Sequence, residues 1–195
     1  MSEPTNPWDI VTDWLPANDD PERPQMTLST VTVAGEADAR TVLLTEYSSD
    51  GFFFHTDAMS RKVDNIVKNS SVALTFLWPG FTRQLVVQGR AELAPEDEIA
   101  TAYRRRSPYL QQLAWQNNFE FAQLPLEERR QRWAAFAEEH AASLEQDSLE
   151  QPDNWIGFLV RPTRMTFWTS DPDAASRRTE YRASSGGWTI AHLPG

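Results

Sequence analysis

The stretch Arg40–Gly89, RTVLLTEYSSDGFFFHTDAMSRKVDNIVKNSSVALTFLWPGFTRQLVVQG, decides the fold. Three apolar runs rich in β-branched and aromatic residues stand out in it: Thr41–Leu44, Phe52–Thr56 and Val72–Trp78. A fourth, Gln84–Gln88, follows a short Pro79-Gly80 turn. Runs of this length and composition predict strands. Ser48-Ser49-Asp50-Gly51 separates the first two, and an Asp-Gly pair between such runs is a hairpin signal. Between the second and third, Val63, Ile66 and Val67 carry the 3,4 spacing of a short helix over 63–68, opened by Ser60-Arg61-Lys62. The order is strand, hairpin, strand, short helix, strand, turn, strand.

Working outward, residues 1–24 are rich in Pro, Asp and Asn, with one amphipathic patch at Trp8, Ile10, Val11, Trp14 and Leu15. Pro16, Pro21 and Pro24 break it, so this segment reads as an arm, and residues 25–195 as one domain. Met26–Val33 is the first strand, Ala34–Asp38 its turn, and Ala39–Tyr47 and Gly51–Thr56 complete a meander. Pro95-Glu96-Asp97-Glu98 opens an acidic helix running to about Arg106, with Ile99, Ala102 and Tyr103 inward. Residues 109–123 read as helical or irregular. Leu126–Leu144 reads as one helix with a stripe of Trp133, Phe136 and Ala137, which core packing explains. Asp147–Asn154 is a polar loop. Trp155–Arg161, Arg164–Thr169, Arg177–Ala183 and Trp188–Leu193 then predict four more strands, the last two joined at Ser184-Ser185-Gly186-Gly187. About eight strands with two or three helices suggest an antiparallel barrel, since closure removes exposed strand edges.

A chain of 195 residues is long enough to bury a real core. Its formal charge of −10 argues against a general nucleic-acid binder, whose affinity comes from neutralised phosphates. It has no cysteine, which removes disulfides, thiolate catalysis and zinc–sulfur sites. No apolar run approaches the roughly 20 residues that cross a bilayer, and the acidic N-terminus does not resemble a signal peptide. The expected address is cytoplasmic. His55, His140 and His192 lie far apart, without the spacing of metal ligands. No nucleophile elbow, glycine-rich phosphate loop or dinucleotide fingerprint is present.

One local charge pattern stands against the acidic background. Ser60-Arg61-Lys62 at a helix start has the makings of an anion site, because first-turn N–H groups and the helix dipole favour a phosphate there. The chain's two lysines, Lys62 and Lys68, both flank this little helix. The plainer reading is a surface helix with solvated cations. Arg104-Arg105-Arg106 is open in the same way, as a ligand clamp or a solvated face. His55, inside an apolar strand, is more often a packed residue than a base. A chain with a phosphate site and no evident acid, base or nucleophile suits a cofactor that brings its own reactivity.

Arg40-Thr41-Val42-Leu43-Leu44, Phe54-His55-Thr56, Ser60-Arg61-Lys62 and Arg83-Gln84 resemble, in order and spacing, the flavin-binding motifs of the pyridoxamine 5'-phosphate oxidase family. The similarity resumes at Trp155-Ile156-Gly157-Phe158, Phe167-Trp168, Arg178 and the closing Trp188–Pro194. It spans Met26 to Pro194 and is weakest between Ser107 and Asn154. A single Ser-Arg-Lys would carry little, but four ordered blocks with a matching end are specific. The resemblance implies a mainly β fold with flanking helices, the family's FMN-binding split β-barrel. It implies FMN, with Arg40, Arg61 and Lys62 on the phosphate. Leu44, Thr45, His55 and Thr56 would line the ribityl chain and ring, Gln84 the ring edge, and Trp168 and Arg178 would close the pocket. It also implies a homodimer with the flavin at the interface; the eight tryptophans would suit such a surface or a core.

The substrate end departs from the family pattern. Thr45 stands where the family carries a lysine, and Ala174 and Ser176 where it carries Arg-x-His. Tyr103 matches a tyrosine that helps hold the substrate phosphate, while Arg106 matches the following arginine only after a shift of one residue. A phosphate buried against neutral side chains is poorly compensated. The expectation is therefore an FMN-dependent oxidoreductase acting on some other small molecule, by hydride transfer to the flavin with oxygen as acceptor. The candidate substrate-binding residues are Tyr103, Arg106 and Ser176, and two alternatives stay open: a true pyridoxamine/pyridoxine 5'-phosphate oxidase with a rearranged pocket using Tyr103 and Arg104–Arg106, and a flavin-binding protein without turnover.

Overall fold

The computed structural model describes residues 4–146 and 148–195. The first three residues of the expected arm and Asp147, which opens the expected polar loop, lie outside the described residues. The chain divides into two compact units. The first takes the chain through Phe54, Asn65–Glu92 and Leu159–Gly195; the second takes His55–Asp64 and Leu93–Phe158.

The first unit begins with α1 (Pro7–Trp14). Asn6 caps it by accepting the Trp8 N–H at 3.2 Å, and Pro7 fills the first position, where no N–H partner is needed. Val11 and Leu15 are buried, and Trp8 stacks on Phe52 with 5.2 Å between ring centres. β1 (Gln25–Val31) pairs antiparallel with β2 (Ala37–Leu43), placing Leu28 opposite Arg40. β3 (Glu46–Ser48) and β4 (Gly51–Asp57) form the next hairpin. The single strand expected over 39–47 is thus two. At Leu44 the chain changes partner: its N–H donates to Pro24 O at 2.9 Å, and the Thr45 N–H donates to Phe53 O at 2.9 Å. The hairpin turn falls on the expected Ser48-Ser49-Asp50-Gly51, with Ser48 facing Gly51 across Ser49-Asp50. Gly51 is also needed for a close approach; a Cβ there would lie 2.2 Å from Val160 O.

α2 (Arg61–Lys68) leads to β5 (Ser71–Leu77), and a 3-10 turn at Pro79–Phe81 leads on to β6 (Arg83–Leu93). After the helical segment come β7 (Trp155–Thr169), β8 (Arg177–Ser184) and β9 (Gly187–Pro194). The sheet order is β2-β1-β5-β6-β7-β4-β3, with β8 on β7 and β9 on β8. β1, β5 and β6 alternate, burying Met26, Leu28, Val72, Leu74, Phe76, Leu85 and Val87. β4 buries Phe52, Phe53 and Phe54 in succession, the mark of a strand covered on both faces. The two strands expected at 155–161 and 164–169 are one. Pro162 does not break β7, because Gly89 lets the backbones close up: a Cβ at Gly89 would lie 2.0 Å from Arg161 O. The Thr163 hydroxyl adds a bond to Gln88 O at 3.2 Å.

The second unit is mostly helical: α3 (Glu96–Arg104), α4 (Pro108–Gln116), α5 (Phe119–Gln123), α6 (Leu126–Glu139) and α7 (Ala141–Glu145). The helix expected over 126–144 divides at His140, whose backbone leaves helical geometry (φ −106°, ψ 18°). Gln112 Nε2 donates to Trp133 O at 2.7 Å and Gln116 Nε2 to Arg132 O at 3.2 Å, tying α4 to α6. Tyr103, Ala114 and Trp155 form this unit's core, with Ile99 packed against them. The whole is mainly β with flanking helices, as expected, although the described residues hold seven α-helices rather than two or three. Among the described residues no helix is long and apolar enough to cross a membrane.

Candidate functional site

Four of the expected flavin residues lie in the second unit, at the junction of β4 and α2. Thr56 is buried at the end of β4. A tight turn follows, in which Asp57 Oδ1 accepts the Met59 N–H at 2.6 Å and the Ser60 N–H donates to Asp57 O at 3.1 Å. The turn folds Lys62 back so that its Nζ donates to Thr56 Oγ1 at 2.8 Å and to Ser60 Oγ at 2.5 Å. Arg61 is exposed beside them. An ammonium, two hydroxyls and a guanidinium at the first turn of a helix form the donor set of a phosphate monoester site. The residues present therefore fit an FMN phosphate.

The fourth of these residues, His55, precedes Thr56 and is walled in. Its side chain has no exposure, and its Nε2 lies 3.2 Å from Glu98 Oε2. The imidazole stacks on Trp155 at 5.2 Å with 10° between the planes. Gly157 makes room for it, since a Cβ there would lie 2.6 Å from His55 Nε2.

Trp155 also gathers the two expected substrate residues of this unit. Tyr103 meets it edge-on at 6.0 Å and donates its hydroxyl proton to Glu150 O at 2.9 Å. Burial pushes the Tyr103 phenol up from its ordinary value. Arg106 lays its guanidinium 4.3 Å over the Trp155 ring, and its Nε donates to Leu110 O at 3.1 Å. Burial lowers Arg106 to about 10. Arg104 and Arg105 are exposed, so of the basic run Arg106 alone turns inward.

The remaining expected residues belong to the first unit. Arg40, on β2, donates to Leu28 O at 3.1 Å and Thr30 Oγ1 at 2.9 Å, and pairs with Asp38 Oδ2 at 2.5 Å. Asn65 Nδ2 joins this network through Thr30 Oγ1 at 3.0 Å and Asp38 Oδ2 at 3.3 Å. Leu44 is fully buried, and Thr45 turns its hydroxyl onto Phe53 O at 3.0 Å. Gln84 is half-buried on β6, opposite Leu77. Trp168 and Arg178 face each other across the β7–β8 pair, with Arg178 exposed. The Trp168 Nε1–H donates to Ser176 Oγ at 2.9 Å. Ala174 and Ser176 line a cavity of 540 Å³ walled by Trp14, Phe167 and Tyr181.

Four partners escaped the sequence. Asp38 carried a signal: it stands two residues before Arg40, on the same face of one strand. Trp155 stood in a block of the resemblance, though with no role attached to it, and Asn65 and Glu98 carried no signal, since their contacts are with residues distant in the chain. Among the described residues no cluster of His, Asp and Glu could hold a metal ion.

Residues 20–147 match the family profile described as pyridoxamine 5'-phosphate oxidase. Residues 155–194 match that of the pyridoxine 5'-phosphate oxidase C-terminal dimerisation region. The pyridoxine/pyridoxamine 5'-phosphate oxidase of Salinibacter ruber is 34% identical over 173 residues, covering 86% of this chain and 78% of that protein. The crystal structure of PhzG from Burkholderia lata 383, in complex with tetrahydrophenazine-1-carboxylic acid, superposes with a TM-score of 0.83 at 20% identity. That match covers 100% of this chain and 95% of the other. A pyridoxamine 5'-phosphate oxidase-related, FMN-binding protein from Nostoc punctiforme PCC 73102 gives 0.65 at 16% identity, over 88% of this chain and 87% of that one. The two structural likenesses concern the fold, which is the split barrel implied by the motifs.

Proposed function

Because the chain belongs to the pyridoxamine 5'-phosphate oxidase family, we propose that it is an FMN-dependent oxidoreductase whose substrate is a small molecule other than pyridoxamine 5'-phosphate. FMN, when bound, supplies the two-electron acceptor, and dioxygen is the proposed final oxidant. The chain's own residues bind and orient. Lys62, Arg61, Ser60 and Thr56 hold the phosphate, and Arg40 adds to them only in company with Asp38, which already balances its charge. His55, Leu44, Thr45 and Gln84 line the ribityl chain and ring, and Trp168 and Arg178 close the pocket.

The observation that carries the substrate reading is the neutrality of Thr45, Ala174 and Ser176. The Thr45 hydroxyl is committed to Phe53 O and that of Ser176 accepts from Trp168, so neither position offers a cation to a substrate phosphate. Tyr103 and Arg106 are similarly engaged, with Glu150 O and with Trp155 and Leu110 O. A ring compound without a phosphate meets this requirement; a reduced ring bearing a carboxylate, as in the PhzG complex, is a natural first compound to try. The second reading, a true pyridoxamine 5'-phosphate oxidase, is favoured by the matching family profiles and by the curated relatives.

A homodimer is proposed as the working form. The match of residues 155–194 to a dimerisation region supports it, and so does β9, which leaves Ile190 and Leu193 exposed. Residues 1–24 are assigned as an accessory arm to an FMN-binding domain over 25–195, and the cytoplasm as the working compartment.

The deciding experiment is the visible spectrum of the purified protein, followed by anaerobic additions. Yellow protein that stays oxidised with pyridoxamine 5'-phosphate but bleaches with a phosphate-free ring substrate supports the proposal. Bleaching by pyridoxamine 5'-phosphate would replace it with the second reading. Yellow protein that no compound bleaches points to flavin binding without turnover. A colourless protein that takes up no FMN defeats the cofactor assignment.

A further inference from the structure

We propose that Asp38 is a specificity-determining residue of the flavin site: its carboxylate, held against Arg40, opposes a dianionic phosphate there and loosens the grip on FMN. The inference rests on the reading that Arg40 faces the FMN phosphate. Asp38 and Arg40 stand two residues apart on β2 and so share one face of the strand. Asp38 Oδ2 accepts from Arg40 Nη2 at 2.5 Å. The two side chains are only 19% and 20% exposed, so solvent screens the pair weakly. The carboxylate is held from a second side as well. Asn65, itself buried, donates from Nδ2 to Asp38 Oδ2 at 3.3 Å and to Thr30 Oγ1 at 3.0 Å. Thr30 Oγ1 also accepts from Arg40 Nη1 at 2.9 Å, which closes a ring of hydrogen bonds through Arg40, Asp38, Asn65 and Thr30.

A guanidinium recognises phosphate best through two parallel N–H bonds. In Arg40, Nη1 donates to Leu28 O at 3.1 Å as well as to Thr30, and Nη2 donates to Asp38. A phosphate that takes this edge must displace a carboxylate that Asn65 also holds. One that approaches beside it sets a dianion against a carboxylate. Both routes weaken binding, and both act on the phosphate rather than on the uncharged ribityl chain. The charge that Arg40 lends to the motif is thus balanced in place, which suits a flavin that exchanges with solution.

FMN and riboflavin, titrated separately into the full chain and its variants at fixed salt and read by quenching of flavin fluorescence, test this. Asp38→Asn keeps an oxygen for Arg40 and removes the charge. It should bind FMN about tenfold more tightly than wild type, with riboflavin within about twofold. Asp38→Glu keeps the charge and should hold FMN within about threefold of wild type. Unchanged or weaker FMN binding by Asp38→Asn would overturn the proposal, since the carboxylate would then be orienting Arg40 or packing beside it. An equal gain for both flavins, or a gain in Asp38→Glu as large as in Asp38→Asn, would overturn it too. If Asp38→Asn does not fold, Asp38→Thr, whose branched side chain suits a strand, is read by the same criteria. All of these results leave the flavin reading standing. If neither wild type nor variant takes up either flavin, that reading falls and the role of Asp38 falls with it.

Discussion

Replacing Lys62 with methionine removes one charge and keeps the aliphatic stem. In the native turn Nζ donates to Thr56 Oγ1 and Ser60 Oγ, at 2.8 and 2.5 Å, which gathers one positive charge and two hydroxyls where the proposed phosphate would sit. A hydrogen bond to a charged group contributes about 1.5–3 kcal/mol, and each 1.4 kcal/mol is tenfold in affinity. The expected loss for FMN is therefore about 10- to 150-fold, toward the lower end because Lys62 is only half-buried. Riboflavin shares the ring and ribityl chain but lacks the phosphate, so its affinity should change by no more than about twofold. Lys68, exposed at the far end of the same helix, is the control, and Lys68→Met should leave both affinities alone. Fluorescence titration of the two flavins at fixed salt measures all of this, since added salt would screen a charge contact. Equal losses for FMN and riboflavin would refute the assignment, because Lys62 would then be supporting the turn rather than the phosphate.

Other consequences are open to simpler assays. Gly157→Ala should destabilise the chain by about 1–3 kcal/mol in urea unfolding, since the new methyl meets a His55 ring already held by Trp155 and Glu98; an unchanged midpoint would show that the imidazole can retreat. Burial holds Arg106 at about 10, below its unfolded value, so at neutral pH its charge opposes folding and the opposition fades as pH climbs through 10. Arg106→Met should accordingly be at least as stable as the parent at pH 7, and the parent should gain on it above about pH 10. Ile190→Asp, on exposed β9, should shift the proposed dimer toward monomer by at least about tenfold in dissociation constant, read by light scattering on a dilution series.

The strands and the phosphate turn were legible because their signals are local. β5 and β6 alternate with a period of two, and Ser60, Arg61 and Lys62 lie side by side at a helix start. Where the sequence misled, a tertiary contact had overridden a local rule. Pro162 reads as a strand end, yet β7 runs through it because Gly89, far away in the chain, removes the side chain that would have kept the backbones apart. His140 divides a helix whose composition gives no warning of it.

The two ends of the proposed site differ for the same reason. Groups that hold a phosphate can cluster within one turn, and here Thr56, Ser60 and Lys62 do so over a few residues, so spacing alone could find them. A pocket for a ring must be walled from several elements, and its chemistry depends on which polar groups are already spoken for. Periodicity does not report that Thr45 donates to Phe53 O, that Ser176 accepts from Trp168, or that Arg40 faces Asp38. Each of those contacts withdraws a group that motif matching would have offered to a ligand. Lys62 meets the hydroxyls of Thr56 and Ser60 within the phosphate turn, while Arg40, a guanidinium of the same motif set, faces the Asp38 carboxylate. That difference is why Lys62, rather than Arg40, is the residue whose loss should separate FMN from riboflavin.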